Sequence, residues 1–303
     1  VSGRDCLEPF GHSVVCILFY ACGLNNYQQF TGNRTQAPTF GGMSNYQLVT
    51  VFGDRKLRLN GNTAAVVNLD TPISEDRMQA IAADFCQPAT SFLWPAYDEG
   101  AYHIRWFAPD GEIDLCGHGS LAAIASLNKS TGPVKLHYKT GVIVAERDGS
   151  EDAHIDIQGI ATKDEEKVPA IVEEALGISI KEYFPTDNKH ILVVEQEEMV
   201  RDMKPDFATL RQHPNFGWIV TSEGREVDFV SRTLVPHVGQ LEDPATGSSH
   251  ACLTPFWSNR LSKTKMNALQ LSRRGARFHC EMDGETVRLK GEFDVWGSGT
   301  IRP

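Results

Sequence analysis

Residues 114–123 read Asp-Leu-Cys-Gly-His-Gly-Ser-Leu-Ala-Ala, DLCGHGSLAA: a thiol, two glycines and an imidazole directly before a run of small apolar residues. The spacing predicts a strand that bends at Gly117 and Gly119 and a helix that starts at Ser120. The first backbone N–H groups of such a helix have no carbonyl to pair with, so the helix start can hold an anion. A second stretch of the same kind stands at 242–251, EDPATGSSHA, and opens into the apolar run CLTPFWSNRL. Each half of the chain therefore has one polar, glycine-containing turn leading into one unusually apolar helix. A helix that is apolar all round is wrapped by its own sheet. If the two halves face each other, both helix N-termini aim into one cleft, where a carboxylate gains about 0.3–1 kcal/mol from each exposed helix end.

Working outward, short strands alternate with a few helices. Residues 47–52 and 63–68 are β-rich, SEDRMQAIAADF has helical apolar spacing with Ser74 as its N-cap, and AYHIRWFAP alternates as a strand. Hairpin-like strands follow over VKLHYKTGVIVAERDG and AHIDIQG, and the charged stretch ATKDEEKVP at 161–169 predicts a boundary between a domain at 43–165 and one at 166–303. In the second half AIVEEALGI and MKPDFATLRQH read as helices. KHILVVEQ, GWIVTSE and EVDFVSRTL read as strands, and alternating strands with a turn at Asp283-Gly284 close the chain. Those last strands are candidates to return to the first domain. Residues 1–42, with the short apolar run HSVVCILFYACG, read as a leader or extension ahead of Met43.

Composition excludes several classes. The chain has 303 residues, 41% hydrophobic and 22% charged, which is an ordinary globular balance with material for two cores. A formal charge of −10 disfavours nucleic acid, and the apolar run is too short to span a bilayer. Seven scattered cysteines with no C-x-x-C pair are the usage of a reducing cytosol and give no metal-site spacing. The Gly-x-Gly at 297–299 lacks the strand-to-helix setting of a nucleotide loop. The expectation is a cytoplasmic protein with a small-molecule partner.

Four segments, GNTAAVV (61–67), RWFAPDGEIDLCGHGSLAAIASL (105–127), EDPATGSSHACLTPFW (242–257) and LQLSRRGARFHCEMDGETVRLKG (269–291), resemble in order the signatures of the PhzF-like (phenazine biosynthesis) family. That family belongs to the diaminopimelate epimerase fold superfamily, and the resemblance spans about residues 46–300. It implies an α+β fold of two similar domains, each a β-barrel-like sheet around a central helix, with the ligand cleft between them. It also implies a homodimer, as in many members, and a cofactor-independent isomerase or epimerase that moves a proton on a small carboxylate-bearing metabolite. Position by position, the family's turn histidine falls on His118 with Gly117 before it, its second-turn aspartate on Asp243 and its serine on Ser248. One position departs: where the family carries a proton-shuttling Glu in an N-x-S-E-T-x-F stretch, CQPATSF places Ala89, and alanine carries no proton.

Three readings remain open. Asp243, His118 or Cys116 supplies acid and base in a cleft that tunes them toward neutrality. Alternatively Cys116 is a thiol base, as in the diaminopimelate epimerases and proline racemases, although Asp243-Pro244 stands where their second thiol belongs. In the third reading the fold keeps its ligand cleft and has lost its chemistry. Each residue also has an ordinary structural use: Cys116 as a small buried hydrophobe, His118 as a bridge in a tight turn, Asp243 as a capping partner, Ser248 as a helix-start residue. Gly117, Gly119 and Gly247 serve backbone conformation and offer N–H groups to a carboxylate. Asn62 and Thr90 are further ligand candidates, with a turn and a strand as their alternative settings.

Overall fold

The computed structural model describes residues 42–127 and 132–303. The leader expected over 1–42 therefore lies, but for its last residue, outside the described residues, as do Cys6, Cys16 and Cys22. In the first half the elements run β1 (Ser44–Gly53), β2 (Asn62–Asn68), α1 (Glu75–Phe85), β3 (Ala89–Pro95), β4 (Ala101–Ala108), β5 (Gly111–Ile113), α2 (Gly117–Ser126), β6 (Val134–Tyr138), β7 (Gly141–Arg147) and β8 (Asp152–Gln158). The second half begins with α3 (Ala170–Leu176), β9 (Glu182–Phe184), β10 (His190–Val193), α4 (Glu197–Asp202), α5 (Phe207–Leu210), β11 (Trp218–Glu223) and β12 (Phe229–Val235). It ends with β13 (Leu241–Asp243), α6 (Gly247–Leu261), β14 (Lys265–Gln270), β15 (Ala276–Asp283) and β16 (Thr286–Ile301).

Eight strands close a barrel around α2, in the order β1-β2-β3-β4-β6-β7-β8-β16, with β16 pairing back onto β1. Closure leaves this sheet no exposed edge along its length. The second sheet continues from β16 through β15, β14, β12, β11 and β10 to β9, and among the described residues it stays open. The long β16 joins the two: Thr286–Glu292 pairs with β8 and the stretch from Glu292 to Ile301 with β1. The hairpin ahead of it turns at Gly284, whose φ of 60° suits a residue without Cβ.

All ten residues of α2 are buried, which is why its sequence has no polar face. The matching stretch of α6, Gly247–Thr254 with Phe256 and Trp257, is buried as well. One continuous apolar core holds Leu121 and Ile124 of α2 together with Leu253 and Trp257 of α6. Each such side chain contributes about 1.5–3 kcal/mol by leaving water. Pro255 lies inside α6 and has no N–H for the carbonyl four residues earlier. The Ile160 N–H, from the link between β8 and α3, donates to that Ala251 carbonyl at 3.0 Å instead.

Two local expectations need correction. The helix expected over Met203–His213 is a single turn, Phe207–Leu210, because Pro205 disfavours helical backbone before it and the Asp206 carboxylate caps Ala208 and Thr209. Helix α2 starts at Gly117, three residues earlier than the turn reading placed it, with Cys116 as N-cap. The Ser74 cap of α1 is found as expected, accepting from the Arg77 N–H at 3.3 Å.

Candidate functional site

The two helix starts touch. A Cβ built on Gly117 would lie 2.8 Å from the Gly247 Cα, and one on Gly247 equally close to the Gly117 Cα, so any side chain there would hold the helices apart. These glycines therefore serve close approach, and neither has the positive φ that a bend would need. No acidic residue occupies the first turn of α2 or α6, so the positive ends of both helices face the same place unneutralised by their own side chains.

A cavity of about 590 Å³ opens over this contact and is lined by Cys116, Gly117 and His118 from one half and by Lys189, Asp243, Gly247 and Ser248 from the other. Asp243 ends β13, a short strand pinned by the bidentate Arg232–Glu242 pair at 2.7 and 2.9 Å. Its carboxylate accepts from Asn62 Nδ2 at 2.7 Å and from Thr246 Oγ1 at 2.8 Å, one bond to each oxygen. Gln270 fixes the backbone behind it: Nε2 donates to the Asp243 carbonyl at 2.5 Å, and Oε1 accepts from the Thr246 N–H at 2.9 Å. The general base candidate is thus held in one orientation by residues from β2, β14 and the α6 cap.

On the facing side Cys116 Sγ lies 3.5 Å from His118 Nδ1 and accepts from the Gly119 N–H at 3.3 Å. Burial pushes the Cys116 thiol up to about 12, the Asp243 carboxylate adds to the rise, and the Gly119 N–H and Lys189 oppose it. The thiol is therefore protonated at neutral pH, which counts against Cys116 as a resting base. Burial also lowers the basicity of His118, against the pull of Asp243, which favours the neutral imidazole.

The cavity wall gathers Cys116, Gly117, His118, Asp243, Gly247 and Ser248 of the residues expected from the sequence. Asn62 is fully buried behind the wall and acts on Asp243, with a second bond from Nδ2 to the Ala245 carbonyl at 3.1 Å. The Gly119 N–H is occupied by the Cys116 thiol, and a Cβ there would meet Trp106 at 2.7 Å, so Gly119 is a packing position. Thr90 is fully buried in β3 with its hydroxyl unpartnered and is off the wall; Ala89 beside it belongs to the apolar core.

Sequence reasoning missed Lys189. It is 5% exposed, and its Nζ donates to Ser248 Oγ and to Asn188 Oδ1, both at 2.8 Å. The one signal was a lysine directly before the buried strand β10, a place where a charge is seldom carried inward. Burial lowers its basicity, while the Asp243 carboxylate opposes the drop. Among the described residues no group of three or more His, Cys, Asp and Glu side chains is placed to hold a metal. None of the described helices is long and apolar enough to cross a membrane.

Known proteins of similar sequence and fold were found. A protein of Pseudomonas aeruginosa named as an uncharacterized isomerase is 36% identical over 259 residues, covering 84% of this chain and 96% of that one. Further bacterial relatives from Halalkalibacterium halodurans and Vibrio cholerae carry the same isomerase name, which supports an isomerase. A crystal structure of a PhzF family protein from Enterococcus faecalis superposes with a TM-score of 0.78 at 32% identity, covering 86% of this chain and 99% of that one. The hydroxyproline epimerase of Agrobacterium vitis shares the fold alone, with a TM-score of 0.58 at 12% identity over 86% of this chain and 92% of that one. The phenazine biosynthesis-like protein family, PhzC-PhzF, matches residues 49–301, and with that span and these relatives the chain belongs to it.

Proposed function

We propose that the protein is an isomerase or epimerase that moves a proton on a small carboxylate-bearing metabolite, with Asp243 as the base and His118 assisting. The observation that carries this reading is the meeting of two helix N-termini at Gly117 and Gly247 on the wall of a cavity that also holds an oriented carboxylate. A substrate carboxylate seated against Gly117, Gly247 and Ser248 faces the positive ends of both helices. Removing a proton from the adjacent carbon places further negative charge on that carboxylate, so the same helix ends stabilise the charge that develops. Proton movement of this kind needs acid and base groups and no cofactor. Cys116, protonated and buried, stays the reserve donor.

The isomerase names of the relatives favour retained chemistry over a lapsed binding fold. The full chain is proposed to act as a homodimer. Asp243→Asn keeps the shape of the side chain and removes its basicity. It is expected to abolish turnover while far-ultraviolet circular dichroism and the unfolding midpoint stay close to those of the parent. A folded Asp243→Asn variant that still turns substrate over contradicts the assignment.

A further inference from the structure

Lys189 is a buried amine in an electrostatically unfavourable place. Its Nζ bonds to Ser248 at the N-terminus of the 15-residue helix α6, where the helix presents its positive end and a cation is disfavoured. Its hydrogen-bond acceptors, Ser248 Oγ and Asn188 Oδ1, are neutral, and the Phe216 ring lies 5.4 Å away. Of the ion pairs among the described residues none includes Lys189. The charged and titratable groups that face it are Asp243 on β13, Cys116 at the α2 cap and Cys252 on α6, with His118 across the same cavity. Packing alone would favour an apolar or neutral residue here, since a buried ammonium without a paired carboxylate is costly. Lys189 and Asp243 line the same cavity, and both come from the same half.

Building on the isomerase reading above, we propose that Lys189 is the proton donor that works with Asp243. Asp243 takes the proton next to the substrate's carboxylate: the C–H bond breaks, its electron pair passes into the carboxylate as an enolate, and an O–H bond forms on Asp243. The Lys189 ammonium then gives a proton to the carbon skeleton: an N–H bond breaks, the enolate's electron pair forms the new C–H bond, and Nζ is left neutral. Transfer of the proton from Asp243 to Nζ restores the starting pair, so the cycle consumes no co-reactant. Burial favours this direction, because the ammonium form of an amine that is a weaker base than usual is a stronger acid. Bonding to Ser248, at the point where the substrate carboxylate is seated, keeps Nζ within reach of the adjacent carbons.

The test separates proton donation from simple charge anchoring. Full-length parent protein, Lys189→Arg and Lys189→Met are incubated with a metabolite extract in D2O, and uptake of carbon-bound deuterium is followed by mass spectrometry. Arginine keeps the positive charge but does not give up its proton. Both variants are expected to lose uptake by about a hundredfold or more, with the parent's deuterated metabolite still raising the unfolding midpoint of Lys189→Arg. Uptake by Lys189→Arg within tenfold of the parent would overturn the proposal and leave the isomerase reading standing. No uptake by the parent would overturn both. A second measurement needs no variant: trace acetylation of the parent with acetic anhydride across a pH series, read peptide by peptide. Lys189 is expected to become reactive at lower pH than the surface lysines, and titration in step with them overturns the proposal.

Discussion

Replacing Gly247 by alanine puts the closeness of the helix starts to a quantitative test. The new Cβ would sit 2.8 Å from the Gly117 Cα and 3.4 Å from its carbonyl carbon. Ordinary contact begins near 3.4 Å, so the two helix starts must part by about half an ångström. Both are backbone, and α2 is enclosed by a closed barrel, so no flexible side chain absorbs the shift. Overpacking of this kind costs about 1–3 kcal/mol. Alanine's better helix propensity offsets up to about 1 kcal/mol of that, leaving a net loss of about 0–2 kcal/mol with the full offset. Urea unfolding of Gly247→Ala should show a lower midpoint with an unchanged slope. Gly117→Ala should do the same, and the double variant should lose less than the sum, because the first Cβ already opens the gap the second needs. Gly239→Ala, with nothing within 4 Å of its Cβ, is the control and should stay within about 0.5 kcal/mol of the parent. The sign decides: with no contact between the helix starts, propensity alone would stabilise Gly247→Ala. A midpoint above the parent's refutes the convergence on which the anion site rests.

Two further outcomes follow from buried groups. With its thiol pushed up to about 12, Cys116 should resist iodoacetamide in the native protein at pH 8 while the exposed Cys86 reacts; rapid labelling of Cys116 would restore the thiol-base reading. His250, fully buried on α6 and stacked on Phe278 at 3.6 Å, is pushed down to about 4 by its burial, from an ordinary value of 6.5. In the window between those values the unfolded chain binds the His250 proton and the folded chain does not. This contribution to stability is therefore fully present above pH 6.5 and is lost as pH falls toward 4, by up to about 3 kcal/mol in all. Urea midpoints measured at pH 7 and pH 5 should differ accordingly, and His250→Phe should reduce the difference; an unchanged difference would show that the loss arises elsewhere.

The apolar helices, their polar N-terminal turns and the strands around them were legible because each is written in local spacing. A run such as Leu121–Ile124 with no polar face has to be enclosed, and the barrel encloses it. The position of the α2 start was misread, since glycines before a helix look like a bend when the neighbour they accommodate lies 130 residues away, as Gly247 does from Gly117. Asn62 reads locally as a turn residue, and its bond to Asp243 spans 181 positions. Lys189 left only its place before β10 as a local signal, for the same reason: its partner Ser248 is 59 residues on, and only the packing of α6 brings the two together. The openness of the second sheet was equally hidden, because β9 carries no mark that distinguishes an edge from an interior strand.

The measurement that bears most directly on the function is deuterium uptake from D2O into a pooled metabolite extract, comparing the parent protein with Asp243→Asn by mass spectrometry. At least one carboxylate-bearing metabolite is expected to gain carbon-bound deuterium with the parent and none with the variant. Absence of uptake with the parent, or equal uptake with a folded Asp243→Asn variant, would contradict the proposed function.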